Sequence, residues 1–208
     1  MAIKITNGIY AITPKSIKGN ELIDSAAAAL DAGIDLLQYR FSANQNFDEI
    51  VQDAEKLQKL CKSHNKALIV NDSYELAELL NCGLHIGQNN TNNFFLNCTN
   101  IKFIGISCHH NLKLPSRKIY SDFSYFSYGP VFNTQTKAML TKPKEPMYFA
   151  NKLDKQTKSV AIGGINHINL KQVKRAGFTM AAICDAIFSQ KDRIYRNSKN
   201  LIEIWHEN

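Results

Sequence analysis

The chain has 208 residues, 44% hydrophobic and 21% charged, enough apolar material for a sizeable core and unlike the composition of a disordered or fibrous chain. Its formal net charge of +7 suits an anionic ligand or only a lysine-rich surface equally well, and its lysines are scattered without the tight basic run of a nucleic-acid arm, so no nucleic-acid partner is expected. Five cysteines without a Cys-x-x-Cys pair (Cys61, Cys82, Cys98, Cys108, Cys184) argue against a disulfide framework or a zinc site and for a reducing cytoplasm.

Met1 to Thr13 lacks the long apolar stretch of a signal peptide, and no apolar run approaches the roughly 18 residues of a membrane span. Neither export nor membrane insertion is expected.

In chain order, eight short β-rich runs recur at intervals of about 25 residues, the signature of βα units around a parallel sheet. They are Gly8 to Thr13, Ile34 to Arg40, Ala67 to Val70, Gly83 to Ile86, Ile101 to Ile106, Phe123 to Tyr128, Val160 to Ile162 and Met180 to Cys184. Helical periodicity marks Glu21 to Asp31, Phe47 to His64, Tyr74 to Leu80, Asn169 to Arg175 and Arg193 to Trp205. In the second of these, Ile50, Val51, Ala54, Leu57, Leu60 and Cys61 fall on one face, as a helix packed outside a sheet requires. Asn89 to Asn100 and His109 to Asp122 are polar, and Pro115 interrupts the second, so a barrel helix there is expected to be short or replaced by loop. The long aperiodic segment Gly129 to Pro146 reads as a binding loop. Eight strands in this order predict one domain over residues 1–208, a single α/β (β/α)8 barrel.

A barrel builds its site at the C-terminal ends of its strands. Polar residues recur there: Gln38 and Arg40, Asn71 and Asp72, His85 and Gln88, Ser107, Lys137, Gly163 and Gly164, and Asp185. Asp72 alone could equally be the N-cap of the next helix, and Gly163-Gly164 alone a tight turn requiring positive φ. His64 reads as a solvated helix-end residue and His167 as a helix-start residue.

Six short motifs in this order carry a resemblance. Gln38-Tyr39-Arg40, Asn71-Asp72, His85-Ile86-Gly87-Gln88, Gly105-Ile106-Ser107, Gly129-Pro130-Val131-Phe132-x-Thr134-x-Thr136-Lys137 and Ala161-Ile162-Gly163-Gly164-Ile165 resemble the motif series of the thiamine phosphate synthase and thiazole tautomerase superfamily. The resemblance implies a transferase joining hydroxymethylpyrimidine diphosphate to thiazole phosphate with release of diphosphate. It places the pyrimidine on Gln38 and Asn71, and the diphosphate on Arg40, Ser107 and Lys137, beside Thr134 and Thr136. Thiazole phosphate would sit on Gly163 and Gly164, near Asp185, and Mg2+ on Asp72 and Asn90. The residue types suit these roles: Arg forks onto phosphate, Lys supplies a point charge, and carboxylate oxygen suits a hard cation.

Three positions depart from the family pattern. Ser42 stands where a lysine is expected, Asn90 where a second metal carboxylate is expected, and Asp185 where a phosphate-binding serine is expected. A like-charge pair at about 4 Å repels by about 4 kcal/mol at an effective dielectric of about 20, so Asp185 opposes a phosphate unless it turns away, for instance to cap the final helix. Two alternatives therefore stand beside the synthase. One is a tautomerase moving protons on His109, whose imidazole suits that work near neutrality. The other is a non-catalytic binder of thiamine-related phosphates. The run Tyr10-Ala11-Ile12-Thr13-Pro14 also resembles barrel domains fused to Nudix hydrolases. Small phosphorylated substrates are the expected partners, and self-association into a homo-oligomer stays open.

Overall fold

The computed structural model describes residues 7–87, 100–112, 124–134 and 142–207. Expectations for Cys98, Gln88, Asn90, Thr136 and Lys137, and for most of the two polar intervals, lie outside these residues.

Eight parallel strands close in sequence order into a barrel: β1 (Gly8–Ile12), β2 (Leu36–Tyr39), β3 (Ala67–Asn71), β4 (Gly83–Ile86), β5 (Ile104–His109), β6 (Tyr125–Tyr128), β7 (Ser159–Ile162) and β8 (Met180–Ile183). Closure is direct, with Gly8 opposite Met180 and Ala11 opposite Ile183. The described helices are α1 (Gly19–Asp31), α2 (Phe47–Ser63), α3 (Tyr74–Leu80), α4 (Met147–Ala150), α5 (Leu170–Arg175), α6 (Asp185–Phe188) and α7 (Ile194–His206). None is long and apolar enough to cross a membrane.

Alternation along each strand divides the core in two, because successive side chains point to opposite faces of the sheet. Tyr10, Ile12, Leu36, Ile69, Phe103, Tyr125, Val160, Met180 and Ala182 fill the barrel interior. Their neighbours, such as Ile9, Leu37, Val70 and Ile106, join the apolar faces of the helices in an outer layer. Both faces are buried, so the strands read as apolar runs rather than as a polar and apolar alternation. Gly105 makes room inside the barrel, since a Cβ there would collide with the Tyr125 ring.

Local chemistry fixes the helix ends. Asn46 caps α2 by accepting from Asp48 N at 2.8 Å, and Ser73 caps α3 by accepting from Leu76 N at 3.3 Å. The N-cap reading of Asp72 is thereby corrected: Ser73 does that work. Asp185 does not cap the final helix either. It opens the short helix α6, while Arg193 occupies the N-cap position of α7. Neither α6 nor α4 was expected from periodicity, since four residues are too few to show a 3.6-residue repeat.

The largest shift is in β5, expected at Ile101 to Ile106. Ile101 and Phe103 are buried ahead of it, and pairing with β4 starts at Ile104 opposite Leu84. The strand then runs through Ser107 to His109, with an irregular register opposite β6. Ser107 is therefore a strand residue facing the barrel mouth rather than a loop residue.

Candidate active site

A cavity of about 1000 Å³ opens at the C-terminal ends of the strands. Arg40 lines it from the end of β2, Ser107 and His109 from β5, and Thr134 from the segment after β6. Gly163, Gly164 and Asp185 line it from beyond β7 and β8. Seven of the residues singled out from the sequence thus face one space.

The backbone of Arg40 is pinned from β1. The fully buried Thr13 donates its N–H to Gln38 O at 2.9 Å, and its Oγ1 accepts from Arg40 N at 3.0 Å. The guanidinium thus starts from a rigid strand end, which favours a fixed geometry at a phosphate.

The glycine turn is equally constrained. Gly163 and Gly164 have φ of +104° and +65°, and a Cβ on Gly164 would strike Asn133 O. Phe132 N donates to Gly163 O at 3.0 Å and Asn169 Nδ2 donates to Gly164 O at 2.9 Å. Both carbonyl oxygens are thereby occupied within the protein, which favours an anion on the N–H side of the turn.

Gln38, Asn71 and Asp72 are not in the cavity wall. Gln38, 2% exposed, points into the barrel beneath the mouth and donates its Nε2 to Tyr10 Oη at 2.7 Å. Asn71 Nδ2 donates to Asp72 Oδ2 at 2.7 Å, and Gly87 N donates to Asp72 Oδ1 at 2.6 Å. Asp72, at φ +58°, ties the end of β3 to the end of β4.

Sequence reading missed a buried polar chain. Tyr10 Oη and Tyr125 Oη lie 2.9 Å apart, Tyr125 Oη lies 2.8 Å from His85 Nδ1, and His85 Nε2 lies 2.9 Å from Ser107 Oγ. The available signal was that Tyr10, Gln38, His85, Ser107 and Tyr125 all occupy inward positions of their strands. Lys15, Ser16, Asn133, Asn166 and Cys184 also line the cavity. Burial pushes the Cys184 thiol up to about 11 even beside Arg40, so it stays protonated at neutral pH and is a poor nucleophile.

This cavity sits in a chain whose residues 9–187 match the model of the thiamine monophosphate synthase family. The chain belongs to that family.

Among similar thiamine-phosphate synthases, one from Methylococcus capsulatus is 30% identical over 204 residues, covering 97% of this chain and 90% of the relative. Another, from Chromobacterium violaceum, is 33% identical over 190 residues, covering 89% and 90%. Thiamine phosphate pyrophosphorylase from Pyrococcus furiosus superposes with a TM-score of 0.75 at 21% identity, over 96% of this chain and 95% of that one. Orotidine 5'-phosphate decarboxylase from Pyrococcus horikoshii superposes at 0.65 with 12% identity, over 95% and 100%, a likeness of fold alone.

A metal in such a family site needs oxygen ligands. No group of three or more His, Cys, Asp or Glu side chains that could hold a metal occurs among the described residues, and the Asp72 carboxylate at the end of β3 accepts from Asn71 Nδ2 and Gly87 N. Magnesium keeps several waters and is usually held by one or two carboxylates together with substrate phosphates, a role for which a single carboxylate such as Asp72 is chemically suited.

Proposed function

We propose that this protein joins hydroxymethylpyrimidine diphosphate to thiazole phosphate and releases diphosphate. The supporting observation is that two sets of anion-binding groups share one cavity in a chain of this family: Arg40 and Ser107 on one set of strands, and the Gly163-Gly164 turn on another. Two phosphorylated substrates need two such sets.

The chemistry is charge management. The carbon–oxygen bond between the pyrimidine methylene and diphosphate breaks with its electron pair leaving on oxygen, and the thiazole nitrogen lone pair forms the new carbon–nitrogen bond. Arg40 and the Ser107 hydroxyl bind the departing diphosphate, where fixed donors are most effective against charge that grows in the transition state. Lys137, Thr134 and Thr136 complete that cradle in this reading. In this reading Asn71 and Gln38 hold the pyrimidine, Gln38 from beneath the mouth of the cavity, where its Nε2 donates to Tyr10. The glycine turn holds the thiazole phosphate. Asp72, with Asn90 as a neutral oxygen donor, would hold Mg2+, which would neutralise part of the diphosphate charge when bound. Substrates of this size and a set of free cysteines suit work in the cytoplasm.

A second reading, proton transfer on a thiazole by His109, is supported by the place of His109 in the cavity wall. One assay separates the two: formation of thiamine phosphate by purified protein from both substrates, with and without Mg2+. The synthase reading expects magnesium-dependent product that falls by about a hundredfold or more in Arg40→Ala. No product under any condition, with substrates still bound, would transfer the assignment to tautomerase or ligand binding.

A further inference from the structure

We propose that the buried chain Gln38–Tyr10–Tyr125–His85–Ser107 is a directional relay that turns the Ser107 hydroxyl into a fixed donor toward the cavity, with His85 and Tyr125 as positioning residues for a bound diphosphate. The identity of the anion rests on the synthase reading; the direction of the relay does not.

The direction follows from proton accounting. The Gln38 amide nitrogen can only donate, so Tyr10 oxygen accepts from it at 2.7 Å. Tyr10 has one proton, and in the proposed direction it goes to Tyr125 oxygen, 2.9 Å away. Tyr125 in turn has one proton, which goes to His85 Nδ1 at 2.8 Å. A neutral imidazole whose Nδ1 accepts must carry its hydrogen on Nε2, which donates to Ser107 Oγ at 2.9 Å. Ser127 Oγ lies within 3.4 Å of Ile106 O and 3.5 Å of Ser107 Oγ, and it can donate to either. Ser107 therefore accepts from His85 Nε2, and in the proposed relay its own proton turns to the cavity that it lines.

Two features keep the relay intact. Tyr10 and Tyr125 are essentially unexposed, and burial raises both phenols well above their ordinary range, so each retains its single proton throughout the neutral range. Tyr125 is locked by the space at Gly105 and by an edge contact with Tyr10, ring centroids 5.8 Å apart. His85 stacks on the Tyr125 ring at 5.6 Å, which fixes its plane. The opposite direction would place hydrogen on His85 Nδ1, draw the Ser107 proton to Nε2 and aim a serine lone pair at the cavity. An anion would be repelled there.

The test needs no variant in its first arm. Protein labelled with 15N in histidine, with His85 assigned by its loss in His85→Asn, is examined by NMR at pH 8. A neutral ring protonated on Nε2 is expected; a ring protonated on Nδ1, or a doubly protonated ring, overturns the relay. The second arm measures binding of inorganic diphosphate without turnover. Tyr125→Phe and Ser107→Ala are each expected to weaken it by about tenfold, the scale of one hydrogen bond to a charged group, whereas Ser107→Thr retains it. Unchanged affinity in Tyr125→Phe, with the fold intact by circular dichroism, overturns the positioning role. Should Tyr125→Phe fail to fold, His85→Gln and Ser107→Ala take its place with the same expectation. Diphosphate binding with the expected tautomer but no thiamine phosphate formation would sink the synthase reading and leave the relay standing.

Discussion

At the scale of single residues, the site depends on a few backbone positions that no other side chain can occupy. Gly164 combines φ +65° with the Asn133 carbonyl where a Cβ would lie. Gly164→Ala is expected to cost at least about 1–2 kcal/mol in urea unfolding from the left-handed conformation alone. It should also raise KM for thiazole phosphate by about tenfold or more, because the turn must move. Asp185 is exposed, so its repulsion of a phosphate is screened well below the figure for a partly buried pair. At a water-like dielectric it is about 1 kcal/mol at about 4 Å, so Asp185→Ser should tighten thiazole phosphate binding by about fivefold at low salt. Titration calorimetry in about 1 M salt, where the Debye length is about 3 Å, should show that gain largely gone. That Arg40, Gly163 and Gly164 line one cavity was legible in the sequence because they fall at or just beyond the ends of predicted strands. Tyr10 and Tyr125 were not, since an inward tyrosine in an apolar strand looks like core until the opposite wall is known.

At the scale of elements, the amphipathic helices and the capping residues place the strand ends. Helix α2 ends at His64, whose Nε2 pairs with Asp31 Oδ1 at 2.8 Å at the end of α1. That hydrogen bond raises the His64 pKa above its ordinary value near 6.5. A folded-state pKa above the unfolded one contributes stability that is complete below about pH 6.5 and is lost as pH rises through the raised value. Asp31 is 60% exposed, so the effect is about 0.5 kcal/mol. The stability difference between wild type and Asp31→Asn should therefore be present at pH 5.5 and fade by about pH 8, as read from urea midpoints. Helix existence was legible from the spacing of Ile50, Ala54, Leu57 and Cys61. The offset of β5 was not, because Ile101 and Phe103 are as apolar as the strand itself and only pairing with β4 decides where the ladder begins.

At the scale of the whole molecule, α7 packs on β1 and on helices α1 and α5. Trp205, 1% exposed, donates Nε1 to Asn7 Oδ1 at 2.9 Å, linking residues near the two ends of the described chain. Trp205→Ala should lower stability by about 3–5 kcal/mol. We propose that residues 1–208 form one domain, so both proteins should unfold in a single transition by fluorescence and circular dichroism; two separate transitions would indicate two units. The sequence by itself determined the eight strands, five of the helices, the barrel class and the family motifs, because hydrophobic periodicity and turn chemistry are local properties of the chain. Only the tertiary structure decided that Asp72 ties β3 to β4, that Gln38 faces inward, and that Ser107 ends a relay crossing the barrel. Those facts depend on which strand lies opposite which, and that is set by closure of the whole ring.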